Sequence, residues 1–382
     1  MSRWAGIMVL IAVLWPVSGS PAQDMSLADA QRITFQHALS MIEPCIVRID
    51  TIGGADPVRT QVDMRGVQTT VTPFRQADGP TTGVIWSAEG LIVTSSFNFV
   101  KDPTVITVRL ANGERYVAKL LARDHATRLA TLKIEPKSPL PTPELVAMAD
   151  ARVGQWALAA GFGHASARPA TAVGIVSATR RMFGVSLQTD VKTSPANYGG
   201  PLFDIDGRLL GIVVPYGLGS GEVAGVEWYD SGTGFAVSTD HIARRVERML
   251  NGQDLYPGKI GVVFEMAPPI VGSDAEARGG LKIAAPTRGP AAEAGLREGD
   301  IVTLFAGMPT PDVNAFRWAA ALHAAGDEVE LTYERDGETF TTPIKLLRGE
   351  EIPPPPPPPE ATPADIAPED APPPDSGTTA RD

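Results

Sequence analysis

Five histidines (His37, His125, His164, His241 and His323) and one cysteine, Cys45, are the residues of this 382-residue chain best suited to moving protons or ligating metals. They are scattered, so no metal cluster and no intramolecular disulfide follows, and no cofactor is called for. Acyl transfer without a metal needs a nucleophile, a base to take its proton, and a group to orient that base. Ser95, Ser96 and Ser194 have no identifiable base and read as barrel and loop residues. Tyr198 is a phenol with an ordinary pKa near 10. His125, in the polar run Arg123-Asp124-His125, reads as a solvated turn residue, and His164, closing Gly161-Phe162-Gly163-His164, reads as a surface turn.

The elements that must position these residues are short. The chain carries a net charge of -11, which supports neither nucleic-acid binding nor a basic membrane patch. Residues 1–22 have an export pattern: Arg3, an apolar run from Trp4 to Val17, then small residues from Ser18 to Ala22. A retained membrane anchor is the alternative, and either places the bulk of the chain outside the cytoplasm, in the periplasm or cell envelope. An amphipathic helix is expected over Leu27–Met41. Strands follow at Cys45–Ile52, Thr82–Trp86, Leu91–Ser95, Val105–Leu110, Arg115–Leu121 and Leu129–Ile134. More are expected at Trp156–Ala160, Ala170–Ser177, Val185–Thr189 and Arg208–Val214, with a hairpin at Asn112-Gly113. Cys45, in one of these runs, reads as a small buried hydrophobe. Residues 53–81 read as a long irregular surface loop. This spacing predicts a mainly β domain built from barrels, over residues 26–251, closed by a helix that Ser238 or Thr239 caps, with Ile242, Val246 and Leu250 on one face.

A smaller α+β domain is expected over 257–349, with strands at Ile260–Phe264, Leu281–Ala285, Ile301–Phe305, Glu328–Glu334 and Thr339–Leu346, and helices at Pro290–Ala294 and Val313–Ala324. Residues 350–382 hold seven consecutive prolines (Pro353–Pro359) and several acids. This composition cannot bury a core, so it reads as a disordered Pro-rich tail, either a spacer or a docking segment.

Several segments in order resemble the HtrA (Deg) family, trypsin-fold serine proteases followed by a PDZ domain. Thr193-Ser194-Pro195-Ala196-Asn197-Tyr198-Gly199-Gly200-Pro201-Leu202 resembles the family's nucleophile loop, Asn-Pro-Gly-Asn-Ser-Gly-Gly-Pro-Leu. Gly83-Val84-Ile85 and Gly90-Leu91-Ile92-Val93-Thr94 are similar to the strand pair before the family's histidine. Leu129-Ala130-Thr131-Leu132 is similar to the strand after its aspartate, and Gly174-Ile175-Val176-Ser177-Ala178, Gln188-Thr189-Asp190 and Gly234-Phe235-Ala236-Val237 follow in family order. The resemblance implies a trypsin-like double β-barrel plus a PDZ domain, spanning about residues 40–350.

It also implies that the chemistry is lost. Tyr198 stands where the family has its serine, Arg128 where it has aspartate before Leu-Ala, and Phe97 or Asn98 where it has histidine. Ala196 replaces a glycine whose N–H serves the oxyanion hole. Phenol, guanidinium and phenyl groups cannot perform the proton transfers of the triad. Pro257-Gly258-Lys259-Ile260-Gly261-Val262 resembles the carboxylate-binding loop of bacterial PDZ domains, and Gly289-Pro290-Ala291-Ala292 through Asp300-Ile301 resembles their following segment. By resemblance, Lys259, Ile260, Gly261 and Val262 would hold a peptide's terminal carboxylate while the peptide adds a strand. The alternative is a domain bound only to its own barrel or to sister subunits. The expectation is therefore an exported pseudoprotease binding peptide C-termini or unfolded segments, with a trimer or a mixed assembly with an active relative as its alternative assemblies. An active endopeptidase with rearranged residues and a chaperone-like holdase are the competing expectations.

Overall fold

A computed structural model describes residues 25–55, 59–62, 68–71, 80–163, 166–216, 232–265 and 280–354. The export segment expected at 1–22, His164 and the tail from residue 355 onward lie outside them. Helix α1 (Leu27–Ile42) starts at Ser26, whose Oγ accepts from the Asp29 N–H, and it buries Ala38 and Ile42. Cys45 is buried in the tight turn that follows, where desolvation pushes its thiol up to about 11.

The first sheet contains β1 (Ile46–Ile52), β4 (Thr81–Ile85), β5 (Leu91–Ser95), β6 (Val105–Arg109), β7 (Arg115–Val117), β8 (Lys119–Asp124) and β9 (Leu129–Lys133). Between β1 and β4, strands β2 (Arg59–Val62) and β3 (Gln68–Val71) pair with each other. The stretch expected to be an irregular loop therefore holds a hairpin, whose backbone groups pair locally instead of facing water. Strand order is β7-β6-β1-β4-β5-β9-β8. The edge strands β7 and β8 are separated by Ala118 alone, so the sheet curls until one edge runs into the other. That bend splits the single strand expected over Arg115–Leu121. Strands β4 and β5 are buried at every position, as their unbroken apolar and Thr/Ser runs require.

The second sheet closes as a barrel in the order β10-β11-β12-β15-β14-β13. Its strands are β10 (Trp156–Gly161), β11 (Ala170–Arg180), β12 (Ser186–Thr189), β13 (Pro201–Phe203), β14 (Leu209–Val213) and β15 (Gly234–Ser238). Leu158, Phe203, Ile212 and Val237 fill it together with Ile46 and Val84 of the first sheet, so the two barrels share a core. Between β11 and β12 lies α2 (Arg181–Gly184), a single turn in which Met182 and Phe183 are left-handed. Helix α3 (Thr239–Leu250) is capped by Ser238. It buries Ile242, Arg245 and Met249 while Leu250 is exposed, because the face turned inward carries the Arg245 ion pair.

The C-terminal unit is a sheet in the order β16-β17-β19-β20, with β18 on β17. It comprises β16 (Leu281–Lys282), α4 (Pro290–Glu293), β17 (Ile301–Phe305), β18 (Met308–Pro309), α5 (Val313–Ala321), β19 (Glu328–Arg335) and β20 (Glu338–Lys345). Ile260, Ile283, Phe305, Leu331 and Leu346 form its core. The strand expected at Ile260–Phe264 has only isolated bridges, at Lys259–Leu347 and Phe264–Ile283. Helix α5 stops at Ala321, short of the expected Ala324, where its carbonyls meet another domain. Arg245 Nη2 donates to Ala321 O (2.8 Å) and His323 O (3.3 Å), while Nη1 reaches Asp124 Oδ2 (3.3 Å). Arg248 pairs with Asp327, and the Arg317 guanidinium lies over Phe183, joining α5 to α2.

Candidate functional site

The groups singled out at residues 97, 128 and 196–200 converge at the junction of the barrels. Strand β5 ends in a single 3-10 turn, Ser96–Phe99, opened by Ser95, whose Oγ accepts from the Phe97 N–H (3.3 Å). Ser96 N–H and Ser95 Oγ both donate to Arg128 O, which fixes the end of the β8–β9 turn beside them. Arg128 itself sits at φ 63, a left-handed conformation that costs an L-residue about 1 kcal/mol or more. On the other side, Asn98 Nδ2 donates to Thr94 Oγ1 (2.9 Å) and Tyr198 O (3.1 Å), tying the turn to the loop. The histidine alternatives thus separate: Phe97 faces Tyr198, with ring centroids 5.4 Å apart and nearly perpendicular, while Asn98 is a buried strut.

The loop is held by its own side chains. Asn197 Oδ1 accepts from Ser194 N–H and its Nδ2 donates to Lys192 O. Gly199 has φ +85, and a Cβ there would lie 2.2 Å from Thr94 Oγ1, so only glycine fits. Ala196 O accepts from Thr82 Oγ1 (2.8 Å). The Tyr198 N–H donates to Ser194 O at 3.1 Å. Both rings are buried, Phe97 at 8% and Tyr198 at 6% exposed, in one apolar cluster with Val191, Leu202 and Val213.

The four described histidines have other places. His37 is exposed on α1. His125 is half-buried, not solvated as expected: its ring stacks on Tyr256 at 4.3 Å and its backbone N–H donates to Leu255 O, so it belongs to the joint between domains. His323 follows α5, where desolvation lowers its imidazole. His241 is buried under α3, and desolvation, with Arg245 and Arg244, pushes it down to about 2. Among the described residues no group of His, Cys, Asp or Glu could hold a metal ion.

The second candidate site is the edge at Lys259–Val262. Lys259 pairs with Leu347 through both its N–H and C=O, and the carbonyls of Ile260 and Gly261 accept from Ala291 and Arg288. Among the described residues no acceptor meets the backbone N–H of Ile260, Gly261 or Val262. Three successive amides without an acceptor are groups that an anion could accept from. Gly261 (φ +82) makes the turn, and a Cβ there would lie 2.0 Å from Arg288 O. Beyond it, Phe264 packs edge-on against Phe316 of α5 at 4.8 Å, giving the edge an apolar wall.

The trypsin-like peptidase domain family matches residues 81–212, and the PDZ domain family matches 258–346. The chain thus carries a trypsin-like peptidase domain and a PDZ domain and is similar to HtrA/DegP-type serine proteases. A probable periplasmic serine endoprotease, DegP-like, of Rickettsia conorii is 26% identical over 356 residues, covering 86% of this chain and 68% of that protein. Its counterpart in Chlamydia trachomatis is 30% identical over 279 residues, so the chain spans about half (53%) of that relative. Among solved structures, the HtrA-type protease AlgW with a tripeptide has a TM-score of 0.61 at 26% identity, covering 84% of this chain and 98% of AlgW. AlgW with a decapeptide gives 0.59 at 25% identity.

Sequence reasoning missed the left-handed α2 turn and the Asp124–Arg245 pair. Gly184 (φ +81) is a local signal for the turn: a Cβ there would strike the Trp318 ring. The pair has no local signal, since its members are 121 residues apart.

Proposed function

We propose that this HtrA-like chain is an exported pseudoprotease that acts by binding peptides, not by cutting them. The observation that carries this reading is the Phe97–Tyr198 pair, two buried rings in edge-to-face contact where the family's histidine and serine would stand. The aromatic edge fills the space a scissile carbonyl must enter. Arg128, at the aspartate position, brings the charge opposite to the one that steadies an imidazolium. The Tyr198 N–H is bonded to Ser194 O, and Ala196 replaces the glycine of the oxyanion hole, so the donors for a developing oxyanion are not assembled.

Binding needs none of this. The amides of Ile260, Gly261 and Val262 suit a terminal carboxylate, and the Phe264–Phe316 wall suits apolar side chains before it. Lys259, exposed at the start of this edge, adds a cation to it. The AlgW structures with peptides support this use of the fold. Assembly into trimers, or mixed assembly with an active relative, would bring several such edges together.

The test is direct. The full chain from residue 23 onward is incubated with unfolded protein and with a serine-directed covalent probe; no turnover and no labelling are expected. Cleavage by the purified chain, whether or not Tyr198→Phe abolishes it, would overturn the reading. A peptide array with free and amidated C-termini should show binding only to free ends. The relatives' names favour a second reading, an active endopeptidase with rearranged residues. The same cleavage assay decides between them.

A further inference from the structure

Arg48 on β1, Arg109 on β6 and Arg115 on β7 stand directly opposite one another across three adjacent strands. Opposed residues of antiparallel strands share a face, and like charges so placed destabilise the sheet. Arg168, from the β10–β11 connection, joins Arg48 and Arg109 around a cavity of about 230 Å³ whose apolar lining includes Ile46, Leu110, Phe162 and Pro169. Two of these cations are compensated: Arg48 by Asp50 and Arg168 by Glu43, which also lines the cavity. Arg109 and Arg115 are not. Among the described residues no carboxylate lies within ion-pairing distance of either, and Glu114 accepts from Asn112 and Tyr116 instead. A chain with a net charge of -11 thus keeps a row of repelling guanidinium groups beside an apolar cavity.

We propose that this arginine row docks the chain's own acidic tail, residues 360–382. That segment carries Glu360, Asp365, Glu369, Asp370, Asp375 and Asp382 against a single cation, Arg381. Asp365-Ile366 sets an acid beside an apolar side chain, matching guanidinium groups beside an apolar floor. The tail is long enough. Arg115 connects to Asp124 along β7 and β8, Asp124 bridges to Leu255, and Lys259 bridges to Leu347. At the maximum span per residue, that path places Arg115 no more than about 80 Å from Pro354. Twenty-eight residues in polyproline-like extension cover about 87 Å, so the last acid, Asp382, reaches even that upper limit, and the acids before it span any shorter separation in proportion. The contact brings carboxylates to Arg109 and Arg115, which relieves the cross-strand repulsion.

The experiment places a fluorophore on the full chain through Thr378→Cys; Cys45 is buried, so labelling is confined to the tail. Dye anisotropy should be high at low salt and fall to that of an isolated tail peptide near about 0.5 M salt, where the Debye length is only a few Å. Arg109→Glu with Arg115→Glu should abolish the salt-dependent part. So should neutralising all the tail acids together, Glu360→Gln, Asp365→Asn, Glu369→Gln, Asp370→Asn, Asp375→Asn and Asp382→Asn, a variant that leaves the folded domains untouched. Anisotropy that ignores salt, or is equal in wild type and both variants, overturns the proposal. Docking that disappears on dilution would assign the site to the tail of a second copy and overturn the intramolecular contact.

Discussion

Replacing Tyr198 by Ser alone restores the family's nucleophile type without restoring a base. Its consequences can be estimated from the structure. The tyrosine is buried against Phe97 and shares a cluster with Val191, Leu202 and Val213. Truncating a buried aromatic ring leaves a cavity and costs about 3–5 kcal/mol, to which loss of the edge-to-face contact contributes about 1 kcal/mol. Catalysis should not appear. In a subtilase, loss of the histidine alone costs about 10⁶-fold in turnover, and on the proposed reading the Phe97 ring takes that position here. Urea unfolding of wild type and Tyr198→Ser, run beside a fluorogenic hydrolysis assay, measures both quantities. A stability loss below about 1 kcal/mol would show that the ring is not a packing element. Measurable turnover with Phe97 in place would refute the reasoning outright, because the hydroxyl would have found another base.

Further expectations follow from the joints of the molecule. Arg245→Met leaves buried Asp124 without its guanidinium and α5 without its partner. A loss of about 3 kcal/mol is expected, the low end for breaking a buried pair, because Thr127 Oγ1 and two N–H groups still serve Asp124. Proteolytic nicking of residues 252–257 should accelerate with it, and an unchanged rate would contradict the clamp. Gly261→Ala forces a Cβ against Arg288 O at a positive φ; binding of peptides with free C-termini should vanish while the circular dichroism spectrum is retained. His241 remains neutral in the folded chain because its imidazole is depressed to about 2, whereas the unfolded chain takes a proton below its ordinary value of 6.5. The contribution is fully present above pH 6.5 and lost as pH falls, by about 1.4 kcal/mol per pH unit. His241→Leu should flatten the acid slope of the urea midpoint, and identical slopes would show that another group governs it.

Much of the architecture was legible because it is written in local patterns. The Asn112-Gly113 turn, the short runs of apolar and Thr/Ser residues in β4 and β5 and the Ser238 cap each need only neighbouring residues. The departures arose where distant groups intervene. Helix α5 ends early because Arg245 takes its last carbonyls, and the Arg115–Leu121 run breaks at Ala118 because the sheet must curl. The expected strand at Ile260–Phe264 has few bridges, since one of its sides is left open.

The residue types by themselves set the expectation that the loop at 193–202 keeps its scaffold while Tyr198, Arg128 and Ala196 depart from the family's chemistry. Side-chain identity sets which proton transfers are available, whatever the fold does. The tertiary structure alone decided that Phe97, not Asn98, faces Tyr198, and that the Tyr198 amide is spent on Ser194 O. It alone brought Asp124 to Arg245 and set Arg48, Arg109 and Arg115 in a row. The Phe97–Tyr198, Asp124–Arg245 and Arg48–Arg109 contacts join residues tens to more than a hundred positions apart, and strand register and barrel closure, not local spacing, determine which of them meet.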